Sequence, residues 1–259
     1  MRLPAFPEKL ERNGDMKDIL KKAKKALGEV RPNQTSISKS NDVQEFLSQV
    51  AAMPNRDVDA HMIFALDATA SREETWDIAR QLQTEMFLSA RSLGGLNLQL
   101  CYFRGFAEFF TSRWENNADQ IVRVMAGMHC EAGATQIEKV LSHAINESQI
   151  RKIKCLVYIG DAMEENVDIL ANLAGKLGLL NIPLFMFQER DDPATRKAFM
   201  ECARLSGGAY SQFDHASVSH LRDLLKAVAV YAAGGYKALK NYTKSSTKEV
   251  KLLERQLKS

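Results

Sequence analysis

The sequence predicts an α/β fold: a Rossmann-like, doubly wound, mainly parallel six-stranded sheet of order 3-2-1-4-5-6, with strand 3 antiparallel at one edge and helices on both faces. Three observations lead there. From His61 onward, apolar runs of strand length alternate with segments of helical periodicity. The runs are nearly continuous in apolar residues, as strands covered on both faces require. Turn signals separate strand from helix each time, so the repeating unit is βα and its connections are crossovers between parallel neighbours.

Residues 1–58 precede this pattern as a basic N-terminal extension. Residues 1–14 have two prolines and no periodicity. Met16, Ile19, Leu20, Ala23 and Leu27 fall at helical spacing with lysines on the other faces, and Gly28 stops them. Such a helix either contacts a partner, acidic lipid or nucleic acid, or packs on the main domain with its lysines solvated; charge patterning alone is a weak signal, so the packed reading is favoured. Arg31 to Ser40 reads as linker, and a helix capped by Asn41 or Asp42 runs to about Met53, where Pro54 ends it.

The first strand is Met62-Ile63-Phe64-Ala65-Leu66-Asp67. A helix from about Ser71 to Leu93 follows, closed by Gly94-Gly95. Leu96 to Phe103 is the second strand. Arg104-Gly105 turns it back into a short antiparallel third strand, Phe106 to Thr111. Helices at Asp119–Met128 and around Ile137–Ile145 lead to the fourth strand, Ile153 to Ile159, which ends in Gly160-Asp161. Then come a helix at Asn166–Leu177, a strand at Pro183–Phe187, a helix opened by Asp192-Pro193, a strand at Ala209–Phe213 and a closing helix marked by Val218, Leu221, Leu225 and Val228. Gly234-Gly235 ends the domain, taken as 59–235. The basic tail 236–259 reads as a frayed helix or an unstructured end.

Charge limits the function classes. Residues 1–58 carry 11 Lys+Arg against 8 Asp+Glu, residues 59–236 carry 17 against 22, and residues 237–259 carry 7 against 2. An acidic central domain lacks the positive face that nucleic acid needs, so no nucleic-acid partner is expected. The basic ends remain available to an acidic partner. No apolar stretch approaches the length of a membrane span and no signal-peptide run opens the chain, so a cytoplasmic protein is expected. Cys101, Cys130, Cys155 and Cys202 are widely spaced and match neither a zinc site nor a disulfide framework.

The chemistry gathers at the switch point. In this strand order the first and fourth strands are neighbours, and the loops after them part to leave a crevice. Asp67 and Asp161 end those strands and would face each other there. Thr69 and Ser71 alternate with Asp67, so an extended turn points all three the same way. Thr135 lies in a loop at the same edge. Two close carboxylates repel unless a cation lies between them, and hydroxyl and carboxylate oxygens suit Mg²⁺ or Mn²⁺ better than zinc. Ordinary helix capping would explain one hydroxyl, not Asp161 opposite. Glu131, Glu164 and Glu165 stand at the rim and read as solvated, with tuning the site or supplying a ligand as the alternative.

These residues resemble the von Willebrand factor A (VWA) domains that carry a metal-ion-dependent adhesion site. The family's aspartate-x-serine-x-serine turn, its threonine after a Gly-Gly type turn and its aspartate after the fourth strand are matched by Asp67-Ala68-Thr69-Ala70-Ser71, Gly133-Ala134-Thr135 and Gly160-Asp161. The resemblance covers about Ala60 to Gly234. Thr69 stands for serine, Ala134 for the second glycine, and Gly160-Asp161-Ala162 for the commoner Thr-Asp-Gly. The resemblance implies a metal-switched interaction module, in which a partner protein's Asp or Glu completes the coordination of Mg²⁺ or Mn²⁺. It does not imply an enzyme. The alternatives are a metal-dependent phosphohydrolase, which would want a carboxylate where Thr69 stands and a phosphate cradle that is absent, and a scaffold whose metal site has decayed.

Overall fold

The computed structural model describes residues 60–73, Trp76, 96–213 and 218–257. The expected basic helix at Met16–Leu27, the helix ending near Met53 and most of the helix expected at 71–93 lie outside the described residues.

Strand β1 (Ala60–Asp67) pairs in parallel with β2 (Leu96–Arg104) on one side and β4 (Ile153–Gly160) on the other. β5 (Leu184–Glu189) and β6 (Ala209–Phe213) continue beyond β4 in parallel, and β3 (Glu108–Thr111) closes the far edge antiparallel to β2. The order is β3-β2-β1-β4-β5-β6, as the alternation of apolar runs predicts. β3 starts later than expected, because Gly105 takes a left-handed backbone (φ 56°) and residues 105–107 form the turn.

The period of two along β1 explains the two-sided core. Met62, Phe64 and Leu66 join Leu221, Leu225 and Val228 on one face. Ile63 and Ala65 join Ile137, Leu141, Leu170 and Phe199 on the other. The helices begin where the sequence provides caps. Asn117 accepts from Asp119 N at 3.0 Å to open α1 (Ala118–Ala126), and Asn166 accepts from Asp168 N at 2.8 Å to open α3 (Val167–Leu179). Asp192 accepts from Thr195 N at 2.7 Å to open α4 (Pro193–Ser206), with Pro193 in its first turn. Helix α2 (Ile137–Ser148) lacks a side-chain cap of its own, and its donors are met from elsewhere.

The chain does not fray after Gly235. Helix α5 (Val218–Thr243) is interrupted there by a left-handed residue (φ 68°, ψ −169°), which glycine adopts without strain, and then resumes. Helix α6 (Lys248–Gln256) follows, its Val250 and Leu253 buried in the same core as β1's Phe64. At its end, Gln256 bonds the backbone of Tyr210 twice, accepting from its N–H at 2.8 Å and donating to its carbonyl at 2.9 Å. Four spaced apolar residues in a basic tail give little periodic signal, yet Val250 and Leu253 are buried and Leu257 packs against the same core. Among the described residues, no helix is long and apolar enough to cross a membrane.

If α6 belongs to the cooperative unit, Leu253→Ala should cost roughly 2–5 kcal/mol, the usual range for a buried leucine. Urea unfolding should show one transition at a lower midpoint. An unchanged midpoint would mean that the end helix adds nothing to the fold.

Candidate metal centre

Asp67 ends β1 with no solvent exposure. Its Oδ1 accepts from Thr69 N at 2.8 Å, a tight local turn typical of aspartate. Thr69 is extended, and from Ala70 to Arg72 the chain tightens into a 3-10 turn, so the segment is not extended throughout as the alternation suggested. The oxygens still meet. Thr69 Oγ1 lies 3.1 Å from Ser71 Oγ, and Ser71 Oγ donates to Asp161 Oδ1 at 3.0 Å across the gap between β1 and β4. Thr69 makes no capping hydrogen bond with its side chain, so capping does not account for its hydroxyl.

Asp67 Oδ2 is buried with no hydrogen-bond partner. Burial pushes the Asp67 carboxyl up to about 6 from its ordinary 3.8, against the pull of Arg72 and of the bonds from Thr69. Arg72 reads from sequence as part of a surface charged run, but it is fully buried. Its Nε donates to Glu189 Oε2 at 2.7 Å, one guanidinium nitrogen donates to the Asp67 carbonyl at 2.5 Å, and the group lies 5.6 Å from the Trp76 ring centre. Glu189 ends β5. The next residue, Arg190, turns outward with a left-handed backbone (φ 65°), and its guanidinium stands 3.8 Å from Asp161 Oδ2.

Thr135 is held by different partners. Its loop is fastened to the β2–β3 turn, where Ala134 N donates to Gly105 O at 3.2 Å and a Cβ on Gly133 would fall 1.8 Å from the same oxygen. Thr135 Oγ1 donates to Glu165 Oε2 and accepts from Glu164 N at 2.9 Å, while Thr135 N donates to Glu164 Oε2 at 3.0 Å. Glu165 also accepts from Ile137 N and, at 3.4 Å, from Glu138 N. It supplies the cap that α2 lacks, a carboxylate at the positive end of a helix. Glu164 and Glu165 are therefore not solvated bystanders. Glu131 does stay largely exposed, 3.6 Å from Arg104. The structure thus joins Asp67, Thr69, Ser71 and Asp161 in one chain of hydrogen bonds and places Thr135 in an adjoining one; both run into the 161–165 turn.

Tyr158 is a further member that sequence reading takes for ordinary core. Its ring fills the space over Gly160, where a Cβ would come within 2.5 Å of the phenolic oxygen. That oxygen is buried without a hydrogen-bond partner. Burial, and then the nearby charges of Asp67 and Glu165, push the phenol well above its usual range, so it remains a neutral donor. The absence of a side chain at Gly160 thus leaves room for the Tyr158 ring.

The donor set fits a hard divalent cation: two carboxylates, two hydroxyls in contact, and one buried carboxylate oxygen with no partner. It relies on hydroxyls, since among the described residues no three His, Cys, Asp or Glu side chains group as a metal site by themselves. His129 faces Arg104 at 3.0 Å instead of the crevice.

Comparison with solved structures matches the chain to the SpRpn10 VWA domain (9% identity, 62% of this chain and 93% of that one, TM-score 0.51). It also matches the PilB minor pilin from Streptococcus sanguinis (10%, 75% and 65%, TM-score 0.52) and the pilus adhesin SpaC from Lactobacillus rhamnosus GG in its open conformation (11%, 71% and 30%, TM-score 0.53). No protein-family model and no curated protein matches the sequence. The chain has the fold of VWA domains; identities this low speak to fold alone.

Asp67→Asn should keep the acceptor for Thr69 and remove the buried charge. A carboxyl whose pKa is raised on folding stabilises the fold below its unfolded value, and that contribution is lost as pH rises through about 6. The metal-free variant should therefore gain over the parent as pH climbs from about 4 to 6, reaching on the order of 3 kcal/mol above that window. Urea melts across pH check this; a gain that is flat or reversed would contradict the buried-charge account.

Proposed function

We propose that this chain is a metal-dependent protein-interaction module, not a catalyst. Asp67, Thr69, Ser71 and Asp161 would hold Mg²⁺ or Mn²⁺, with Thr135 contributing from the adjoining loop. The ion would supply one exchangeable position for an Asp or Glu carboxylate of a partner protein, since Mg²⁺ bound by few protein oxygens keeps water. The observation that carries this reading is the Ser71–Asp161 hydrogen bond next to the unpartnered, buried Asp67 Oδ2. Together they support a cation site: a chain of hydrogen bonds links the oxygen-bearing side chains, and one buried carboxylate oxygen beside it lacks a partner.

Several features support binding over turnover. The residue two after Asp67 is Thr69, where an aspartate-based phosphatase needs its second carboxylate. The free thiols are poor nucleophiles, because burial pushes Cys130 up to about 11 and Cys202 up to about 12. The acidic balance of residues 59–236 argues for a protein partner over nucleic acid. The basic helix α6 and the basic N-terminal segment could add contacts to an acidic partner.

Calorimetric titration of the full chain with Mn²⁺ or Mg²⁺ should show one site. Asp67→Ala and Asp161→Ala should each weaken it by at least about tenfold, the scale on which even supporting residues of metal sites act. Capture of partners should fail in chelator. A parent that binds neither ion would leave the scaffold reading, and phosphoester turnover lost in the same variants would favour the enzyme.

A further inference from the structure

On the two loops flanking the crevice, one residue exposes a large apolar side chain and another holds a left-handed backbone. Phe106 is 84% exposed at the tip of the β2–β3 hairpin. That tip is rigid. Gly105 O accepts from Ala134 N, Gln136 Nε2 donates to Glu108 O at 3.3 Å, and Tyr102 stacks on Phe110 with centroids 4.8 Å apart. An aromatic ring on a fixed tip loses little freedom when a partner covers it, which is the character of an interface anchor.

Arg190 occupies a left-handed backbone where glycine or asparagine would be unstrained. Its carbonyl is held there by Gln212 Nε2 at 2.8 Å. The effect is to split the end of β5, with Glu189 turned inward to Arg72 and Arg190 turned outward over Asp161. The Arg190 side chain is 44% exposed, and its contact with Asp161 is long. A guanidinium presents a fork that matches a carboxylate.

We propose that Phe106 and Arg190 are the two anchors of a docking surface centred on the cation, and that its occupant is an extended protein segment with an Asp or Glu flanked by an apolar side chain. The inference rests on the metal-site reading and adds the partner's local sequence to it. The sheet order sets the spacing. The crevice lies between β1 and β4, with the Phe106 hairpin on one flank and β5 on the other. At roughly 4.8 Å per strand, the aromatic tip between β2 and β3 is about 10 Å from the crevice across the sheet, which an extended peptide covers in about three residues. The acidic side chain meets the ion and Arg190. The apolar one, two or three positions away, meets Phe106.

The test uses the full chain saturated with Mg²⁺ and two capped heptapeptides of glycine and serine, one with a central Glu only and one with a Leu two residues from that Glu. By calorimetry or NMR titration, the Leu peptide should bind roughly tenfold tighter. Phe106→Ser should abolish that advantage and leave the plain peptide unchanged. Arg190→Ala should weaken both peptides about fivefold or more, Arg190→Lys less so, while Mn²⁺ affinity holds or rises. Equal affinity for the two peptides, variants that match the parent, or no binding of either peptide to the metal-loaded parent overturns the proposal. A parent that fails to bind Mn²⁺ overturns the metal-site reading as well, and the two failures are thus told apart.

Discussion

A full negative charge placed where no water reaches it is the constraint around which the crevice is built. Asp67 terminates a strand buried at all but one position, and the fold answers with Arg72, which is itself buried and must be answered by Glu189. Removing one member of such a pair leaves the other uncompensated, which typically costs about 3–5 kcal/mol. Because Asp67 ends β1 and Glu189 ends β5, the pair fastens two strand ends that flank β4. Asp161, at the end of β4, is held between them within reach of Ser71. The charge balance remains incomplete, since one oxygen of Asp67 has no hydrogen bond and its carboxyl holds its proton up to about pH 6. A site that fits a cation and a fold that bears unrelieved charge are the same observation seen from two sides.

Much of the architecture is legible in the sequence for a simple reason. β1, β4 and β5 are apolar on both faces, and a run of that kind can only lie inside a layered sheet. The cap residues Asn117, Asn166 and Asp192 announce their helices because the chemistry is local. Asp67 and Asp161 are legible as neighbours because strand order alone brings them together. What stays hidden depends on distant partners. Arg72 sits beside two glutamates in sequence and looks solvated; its burial depends on Glu189, 117 positions away. Glu165 resembles any acidic residue before a helix, yet it caps a different helix that starts 28 positions earlier. The run Gln188 to Asp192 does carry one visible hint, a charged cluster directly after a buried strand at the ligand-bearing edge of the sheet.

Tyr158 shows how a glycine at the crevice is matched by the volume of a neighbouring ring. A glycine before Asp161 removes a side chain from the crevice, and the phenol two residues earlier takes that volume. Tyr158 stacks on Phe103 and meets Phe199 edge-on, so its ring is fixed by the core below while its hydroxyl faces the carboxylates above. The phenol is therefore clamped by aromatic packing, and the floor of the crevice is an extension of the hydrophobic core.

The paired hydrogen bonds between Gln256 and Tyr210 bear on the open margin of the sheet. A primary amide that both donates to and accepts from one residue's backbone copies what a neighbouring strand would do, and it copies it on β6, the last strand of the sheet. Open strand edges are templates for self-assembly. With α6 laid along it, this edge is partly closed to a second sheet. A protein shortened by a few residues at that end would bare a sticky margin while keeping every residue of the crevice.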